Sequence, residues 1–134
     1  MSKSVTTLAT ALFVAALSPA ASGERVEASV DNDGIQRLSV LAGGYFFRPD
    51  HIVVKADRPV ELAVSKEPGL VPHAIALRIP AEKIDLDEDL GTEPRTIRFT
   101  IRQPGRYDFS CSKKLLFFES HREKGMEGVL EVVE

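Results

Sequence analysis

Short segments in which apolar and polar residues alternate dominate the chain after residue 23. Residues 60–64 read VELAV, with Val60, Leu62 and Val64 on one face, and residues 96–101 read TIRFTI with the same alternation. Successive side chains of a β-strand point to opposite faces, so this pattern predicts strands that bury one face. The 3.6-residue period of a long amphipathic helix is missing from this part of the sequence.

Turn residues such as Pro68-Gly69 and Pro104-Gly105 separate these segments. The spacing predicts an all-β fold, an antiparallel β-sandwich of about seven strands. Two stretches break the pattern: we expect the acidic residues 80–94 to form a loop or one helical turn, and residues 112–125 a short helix or an extended loop. The predicted strands are residues 37–40, 52–54, 60–64, 74–79, 96–101, 106–110 and 129–133.

The first 23 residues have the pattern of a secretory signal peptide. Lys3 supplies a positive charge, residues 8–17 are largely apolar, and small residues follow up to Gly23. The apolar run is shorter than the roughly 20 residues of a membrane span. We therefore expect cleavage between Ala20 and Gly23 and a mature domain of residues 24–134 in the periplasm or outside the cell, without a membrane span. An uncleaved anchor or a buried helix is the alternative.

Composition narrows the candidate functions. The 134 residues carry 17 Lys and Arg against 20 Asp and Glu, a net charge of −3. Binding to nucleic acid needs a basic surface, so this class of partner is not expected. The chain has a single cysteine, which excludes an intramolecular disulfide. In an oxidising compartment a lone cysteine indicates a reactive thiol, an intermolecular bridge or a metal ligand.

Residues that bind soft metals occur near the turns late in the chain. They are Cys111, His121 and Met126, and His73 follows Val71-Pro72 at the start of a predicted strand. Two histidines and one cysteine with a weak axial methionine suit a mononuclear copper site for electron transfer. Each residue also has a purely structural interpretation: a buried thiol, a histidine at a strand end, a surface histidine in a charged turn and a core methionine. The third histidine, His51, is expected at the surface.

Three segments resemble the cupredoxin family, the small blue copper proteins such as plastocyanin and azurin. They are VPHAI at 71–75, PGRYDFSCS at 104–112 and HREKGMEG at 121–128, which resemble the segments with the first histidine, the cysteine, and the second histidine with its methionine. The resemblance covers the chain from about residue 35 to its end. It implies a Greek-key β-sandwich that holds one copper ion through His73, Cys111, His121 and Met126.

The resemblance also implies a function. A cupredoxin with these ligands would be a soluble electron carrier for redox partner proteins, not an enzyme, with Cys111 bound as thiolate and His121 as the more exposed ligand. A protein for copper binding, tolerance or delivery is an alternative.

The segment between the cysteine and the second histidine departs from the family. Nine residues separate Cys111 from His121, whereas plastocyanin and its near relatives place two to four there. The longer loop could carry a carboxylate ligand, Glu119, and Glu67 before His73 is a second candidate. Such a ligand would give a red copper site like that of nitrosocyanin, with reactivity toward small molecules.

The loop also contains four consecutive apolar residues, Leu115, Leu116, Phe117 and Phe118. They could fold back to shield the copper ion or form a docking patch for a partner. The basic residues around the patch and the acidic run at 85–93 could steer an oppositely charged redox partner. Solvated faces are the alternative interpretation of both charge groups.

Overall fold

Two β-sheets packed face to face make up the described part of the chain, which is residues 23–114 and 118–134 of a computed structural model. This architecture confirms the all-β sandwich predicted from the alternating pattern. The strands in this part are β1 (Arg25–Glu27), β2 (Ser29–Val30), β3 (Gln36–Gly43), β4 (Phe46–Arg48), β5 (His51–Lys55), β6 (Val60–Lys66), β7 (Ala74–Ile79), β8 (Ile84–Asp89), β9 (Arg95–Phe99), β10 (Gly105–Ser110) and β11 (Glu127–Val133).

The larger sheet has the strand order β1-β5-β11-β10-β7-β8, and the smaller sheet has the order β2-β3-β6-β9 with β4 paired to β3. The pairs β1–β5, β5–β11 and β3–β6 are parallel, and the other pairs are antiparallel. The chain passes from one sheet to the other between β4 and β7, so neighbours within a sheet are often distant in sequence. The two-residue period predicts the strands but not this mixed direction.

The core lies between the two sheets. In β6, Val60, Leu62 and Val64 are buried and the residues between them are partly exposed, as the alternation predicts. From the opposite sheet, Ile75 and Leu130 belong to the same core cluster. Burial of such side chains contributes on the order of 1.5–3 kcal/mol each, which holds the strand ends in a defined arrangement.

The acidic stretch at residues 80–94 contains a strand at its centre and is not the continuous loop that we expected. A short 3-10 turn at Pro80–Glu82 supplies the anticipated helical turn, and Ile84–Asp89 then pairs with β7 along its whole length. The sequence IDLDED alternates with a two-residue period, but its charges mask the signal. Charged residues suit β8 because it is the edge strand of the sheet.

The segment between Cys111 and Met126 contains no helix among its described residues. Lys114 and Ser120 form an isolated antiparallel bridge, and a turn covers residues 121–125. The extended-loop interpretation is therefore the better one here. Leu115, Leu116 and Phe117 lie outside the described residues, as do residues 1–22 of the expected signal peptide. Within residues 23–114 and 118–134, the structure has no helix long and apolar enough to cross a membrane.

Candidate metal centre

Three adjacent strands of the larger sheet bring the predicted ligands to one end of the sandwich. His73 directly precedes β7, Cys111 directly follows β10, and Met126 directly precedes β11. The strands lie side by side in the order β11-β10-β7, and β10 is antiparallel to both neighbours. The end of β10 therefore meets the beginnings of β7 and β11, which places residues 73, 111 and 126 together.

One atom each from His73, Cys111 and His121 forms a compact donor group. These ligand atoms all lie within 4.8 Å of one another. Cys111 Sγ is 3.4 Å from His121 Nδ1, and the two imidazole rings have centroids 5.1 Å apart. This geometry confirms that the three residues predicted from the sequence meet in space.

Backbone hydrogen bonds hold this group in place. Cys111 N–H donates to the Met126 carbonyl at 3.0 Å, and Met126 N–H donates to the His121 carbonyl at 3.0 Å. His121 N–H donates to the Lys113 carbonyl at 2.9 Å, which closes the long loop at its base. The sulfur itself accepts a 3.4 Å hydrogen bond from Ala74 N–H. Nine residues separate Cys111 from His121, yet the two ends of this loop are fixed next to each other.

The donor group is buried. Cys111 and His121 are each 1% exposed, His73 is 5% exposed and the Met126 side chain is fully buried. Burial lowers the pKa of His73, and the neighbouring His121 and Lys66 lower it further. Burial also lowers the pKa of His121, with a smaller effect of Lys124. Both imidazoles are therefore neutral at neutral pH, which is the form that binds a metal ion.

Tyr45, which the sequence analysis did not assign to the site, covers the donor group from the smaller sheet. It lies in the turn between β3 and β4, with a φ of 63°. Its ring meets the His121 ring edge to face, and Lys124 Nζ lies 4.7 Å from the centre of the Tyr45 ring. The expectation that His121 is the more exposed ligand is therefore wrong. The Gly43-Gly44 pair marks this turn, but only the packing of the two sheets places it over the site.

The two candidate carboxylate ligands lie outside the donor group. Glu67 is exposed and packs against Gly43, where a Cβ would lie 2.6 Å from its Oε2. Glu119 lines a shallow cleft of about 220 Å³ beside Tyr45 and His121. Among the residues the structure describes, no carboxylate joins the histidines and the cysteine. His51 is also elsewhere: its Nε2 lies 2.6 Å from Glu131 Oε2.

The donor group fits a copper ion. His73 Nδ1 is buried and has no hydrogen-bond partner among the described residues, although buried polar atoms normally have one. A metal ion would satisfy this nitrogen. A thiolate and two neutral imidazoles, with the buried thioether of Met126 as a weak further ligand, match the preferences of copper.

Comparison with solved structures gives the same fold. The metal-binding domain of the Cu(I)-exporting P-type ATPase CopA of Streptococcus pneumoniae D39, solved with Cu(I), is 30% identical, with a TM-score of 0.63 over 84% of this chain and 99% of that chain. A mutant plastocyanin of fern is 27% identical over 72% of this chain and 100% of that chain, with a TM-score of 0.50.

A more distant structure shows the fold alone. It is auracyanin A, a "blue" copper protein of Chloroflexus aurantiacus, 18% identical over 75% of this chain and 100% of that chain, with a TM-score of 0.58. No protein-family model and no curated protein matches the sequence. The strand order, the donor group and the 30% identity to a relative matched over 99% of its solved chain together show that this chain belongs to the cupredoxin family.

Proposed function

We propose that this protein is an exported electron carrier that holds one copper ion through His73, Cys111, His121 and Met126. The observation that carries the proposal is the assembly of a thiol and two neutral imidazoles inside the core, at the ends of paired strands. When bound, the copper ion supplies a one-electron couple. The chain supplies the rest, which is a fixed ligand geometry, a dry environment and a surface for partners.

Rigidity favours electron transfer over substrate chemistry. The backbone hydrogen bonds of Cys111, His121 and Met126 leave these ligands little freedom to move between oxidation states. Little reorganisation is then needed when an electron arrives or leaves. A reaction with a small molecule would need an open ligand position, whereas Tyr45 covers the site and the carboxylates Glu67 and Glu119 lie outside the donor group. This arrangement favours the blue copper site over the red copper alternative.

An apolar surface near the metal centre supports docking of a redox partner. Leu70 is fully exposed and Val71 is partly exposed, two or three residues before His73. Phe118, from the predicted docking patch, is 62% exposed and lines the cleft next to His121. Large exposed apolar side chains such as these favour an interaction surface. The roles of Leu115, Leu116 and Phe117 in the patch remain predictions.

Charge steering by the acidic strand has less support. Asp85 and Asp87 pair with Arg78, Glu88 pairs with Arg95, and Asp89 pairs with Lys113. These ion pairs neutralise much of the negative charge of β8. We therefore assign the acidic run to the structure of this edge strand and the choice of partner to the apolar surface.

Copper delivery is the second candidate function. The relative at 30% identity is a metal-binding domain of a Cu(I)-exporting ATPase, which favours a role in copper handling. Transfer of copper between proteins proceeds through an incoming donor that reaches the metal ion. The burial of Cys111 and His121 opposes such access.

Spectroscopy of the copper-loaded protein tests the proposal. We expect one equivalent of Cu(II) to give an intense thiolate-to-copper absorption band and a small copper hyperfine splitting in the EPR spectrum, both lost in Cys111→Ser. The matched control is Ser112→Ala, next in the chain but bonded to Asp87 outside the donor group, which should keep both signals. Reversible reduction and reoxidation without loss of metal would support the carrier. Rapid transfer of Cu(I) to a competing chelator would favour delivery instead, and a red spectrum with ordinary hyperfine splitting would favour the carboxylate site.

A further inference from the structure

An acidic cleft lies at the end of the larger sheet where β1, β5 and β11 begin. It encloses about 340 Å³, and its lining includes Asp50, Asp108 and Glu127 together with the backbone of Gly23. Glu127 already pairs with Arg122, and the remaining negative charge of the cleft favours a cation as its occupant. The negative charge does not show which cation binds, but the surroundings of Asp50 do.

One carboxylate oxygen of Asp50 lacks a hydrogen-bond donor among the described residues. Its Oδ1 is buried and has no hydrogen-bond partner among the described residues. Its backbone carbonyl accepts a 2.7 Å hydrogen bond from Val129 N–H, which fixes the residue at the start of β5. A buried acceptor without a partner costs about 1–3 kcal/mol, so a donor is expected at this oxygen.

Gly23 lies directly against this carboxylate. A Cβ built on Gly23 would overlap both oxygens of Asp50, so a residue with a side chain does not fit here unless Asp50 moves. The backbone nitrogen of Gly23 is one bond of about 1.46 Å from the Cα that would carry this Cβ. A positive charge on that nitrogen would therefore lie within ion-pair reach of Asp50.

Removal of the export leader would create such a charge. Ala20, Ala21 and Ser22 precede Gly23 and are small, as leader cleavage requires. We propose that the leader is cleaved between Ser22 and Gly23 and that the new α-ammonium group of Gly23 binds the carboxylate of Asp50. In the cleavage, water adds across the Ser22–Gly23 peptide bond, so that Ser22 keeps the carboxylate and Gly23 becomes the ammonium terminus.

This ion pair would anchor the first strand of the mature protein. β1 is short, lies at the sheet edge and pairs with β5 through only three residues. His51 N–H donates to the Glu24 carbonyl at 3.3 Å, next to the proposed pair. The processed terminus would fasten β1 to β5 at this point, so that only the processed chain has its full stability. The inference rests on the proposed export of the protein.

The mass of the exported protein tests the cleavage site. The full chain is produced with its own leader in a bacterial host and purified from the periplasm, and its intact mass is measured. We expect the mass of residues 23–134. A mature chain that begins at another residue overturns the pairing and leaves export intact. A chain that retains its leader overturns both, whereas the copper spectrum of either product tests the metal centre separately.

A double-mutant cycle tests the ion pair. One variant has an alanine inserted between Ser22 and Gly23; its intact mass must show cleavage after Ser22, so that the ammonium group has moved by one residue. The other variant, Asp50→Asn, removes the carboxylate charge. We expect either change to raise the unfolding equilibrium constant about tenfold. The double variant should have an unfolding equilibrium constant only slightly higher than that of either single variant. Glu27→Gln, on the same strand and outside this cleft, is the control and should be additive with the insertion. Additive effects of the insertion and Asp50→Asn would overturn the pairing.

Discussion

The ring of Tyr45 meets the ring of His121 edge to face, with 5.0 Å between the ring centroids and 77° between the ring planes. It also approaches the ring of His73 at 6.5 Å. One side chain from the smaller sheet thus packs against two ligands held by the larger sheet. This contact covers the metal centre on the side where a solvent-exposed histidine was expected.

Removal of the Tyr45 ring is expected to speed the loss of copper. Edge-to-face aromatic pairs contribute about 0.5–1.5 kcal/mol, so Tyr45→Ala should increase the rate of Cu(I) extraction by a chelator by up to about tenfold. Tyr45→Phe keeps the ring and should lose Cu(I) to the chelator at the wild-type rate. The measurement is the absorbance of the Cu(I)–chelator complex over time.

The second tyrosine of the chain provides a control for this experiment. Tyr107 lies in β10 and its hydroxyl donates to the Gln103 carbonyl at 2.7 Å. Tyr107→Phe should leave the extraction rate unchanged. Equal rates in Tyr45→Ala and wild type would contradict the covering role.

Substitution of Met126 is expected to shift the reduction potential. Its side chain is fully buried, and its backbone bonds to both Cys111 and His121. The harder oxygen of Met126→Gln favours Cu(II) and should lower the potential, while the apolar Met126→Leu should raise it. Each tenfold change in relative affinity for the two oxidation states corresponds to about 59 mV, which potentiometric titration resolves.

Glu119→Gln distinguishes Glu119 from Met126 as the axial ligand. Glu119 lies at the cleft beside His121 and outside the donor group, so this variant should keep the wild-type potential. A large shift in Glu119→Gln together with none in Met126→Gln would instead indicate the carboxylate site.

Acid is expected to weaken the smaller sheet. Hydrogen bonds from Arg98 and Arg37 lower the pKa of Glu61 below its ordinary value of 4.5. A carboxyl group with a lowered pKa in the folded state stabilises the protein above its unfolded pKa, and this stabilisation is lost as the pH falls through the folded value. Glu61→Gln should therefore lower the thermal midpoint at pH 7 and have progressively less effect below pH 4.5.

Thermal unfolding monitored by circular dichroism between pH 2 and pH 7 measures this effect. The metal-free protein is the appropriate sample, because protonation of the histidines also changes metal binding. An effect of Glu61→Gln that is the same at both ends of the pH range would show that the ion pairs of Glu61 do not contribute.

A side chain at position 128 is expected to destabilise the fold. A Cβ on Gly128 would overlap the ring of Phe109 and would lie 2.6 Å from the Asp50 carbonyl oxygen. Overpacking of this kind costs about 1–3 kcal/mol, so Gly128→Ala should lower the free energy of unfolding by this amount. Chemical denaturation measures the change.

Phe109→Leu tests whether overlap with the Phe109 ring causes the loss of stability in Gly128→Ala. Phe109 pairs with Gly128 across β10 and β11, and a smaller side chain there should restore part of the stability of Gly128→Ala. If the double variant is no more stable than Gly128→Ala, the steric overlap that destabilises the fold is the one with the Asp50 carbonyl oxygen.

The sequence predicted the strands that carry a plain two-residue period. Residues 60–64 alternate, and their buried face is the one expected. β8 obeys the same period but was assigned to a loop, because the charges of its exposed residues hide the alternation of an edge strand. β1 and β2 are two or three residues long, too short to give a periodic signal.

The donor residues were predicted by their chemistry, since cysteine, histidine and methionine are scarce in this chain and recur in the cupredoxin pattern. The environment of those residues could not be predicted in the same way. The burial of His121 depends on a turn at Tyr45, which is 76 positions away in the sequence. Contacts over such a separation follow from sheet packing, which local patterns do not encode.

By itself, the sequence determined an all-β fold and the identity of the side chains able to bind copper, because strand period and ligand chemistry are properties of individual residues and their near neighbours. The tertiary structure alone decided that the end of β10 lies between the beginnings of β7 and β11, that Glu67 and Glu119 remain outside the donor group, and that Tyr45 covers His121. The physical reason is that these relations arise from strand order and from the packing of two sheets on one core, which joins residues from every part of the chain.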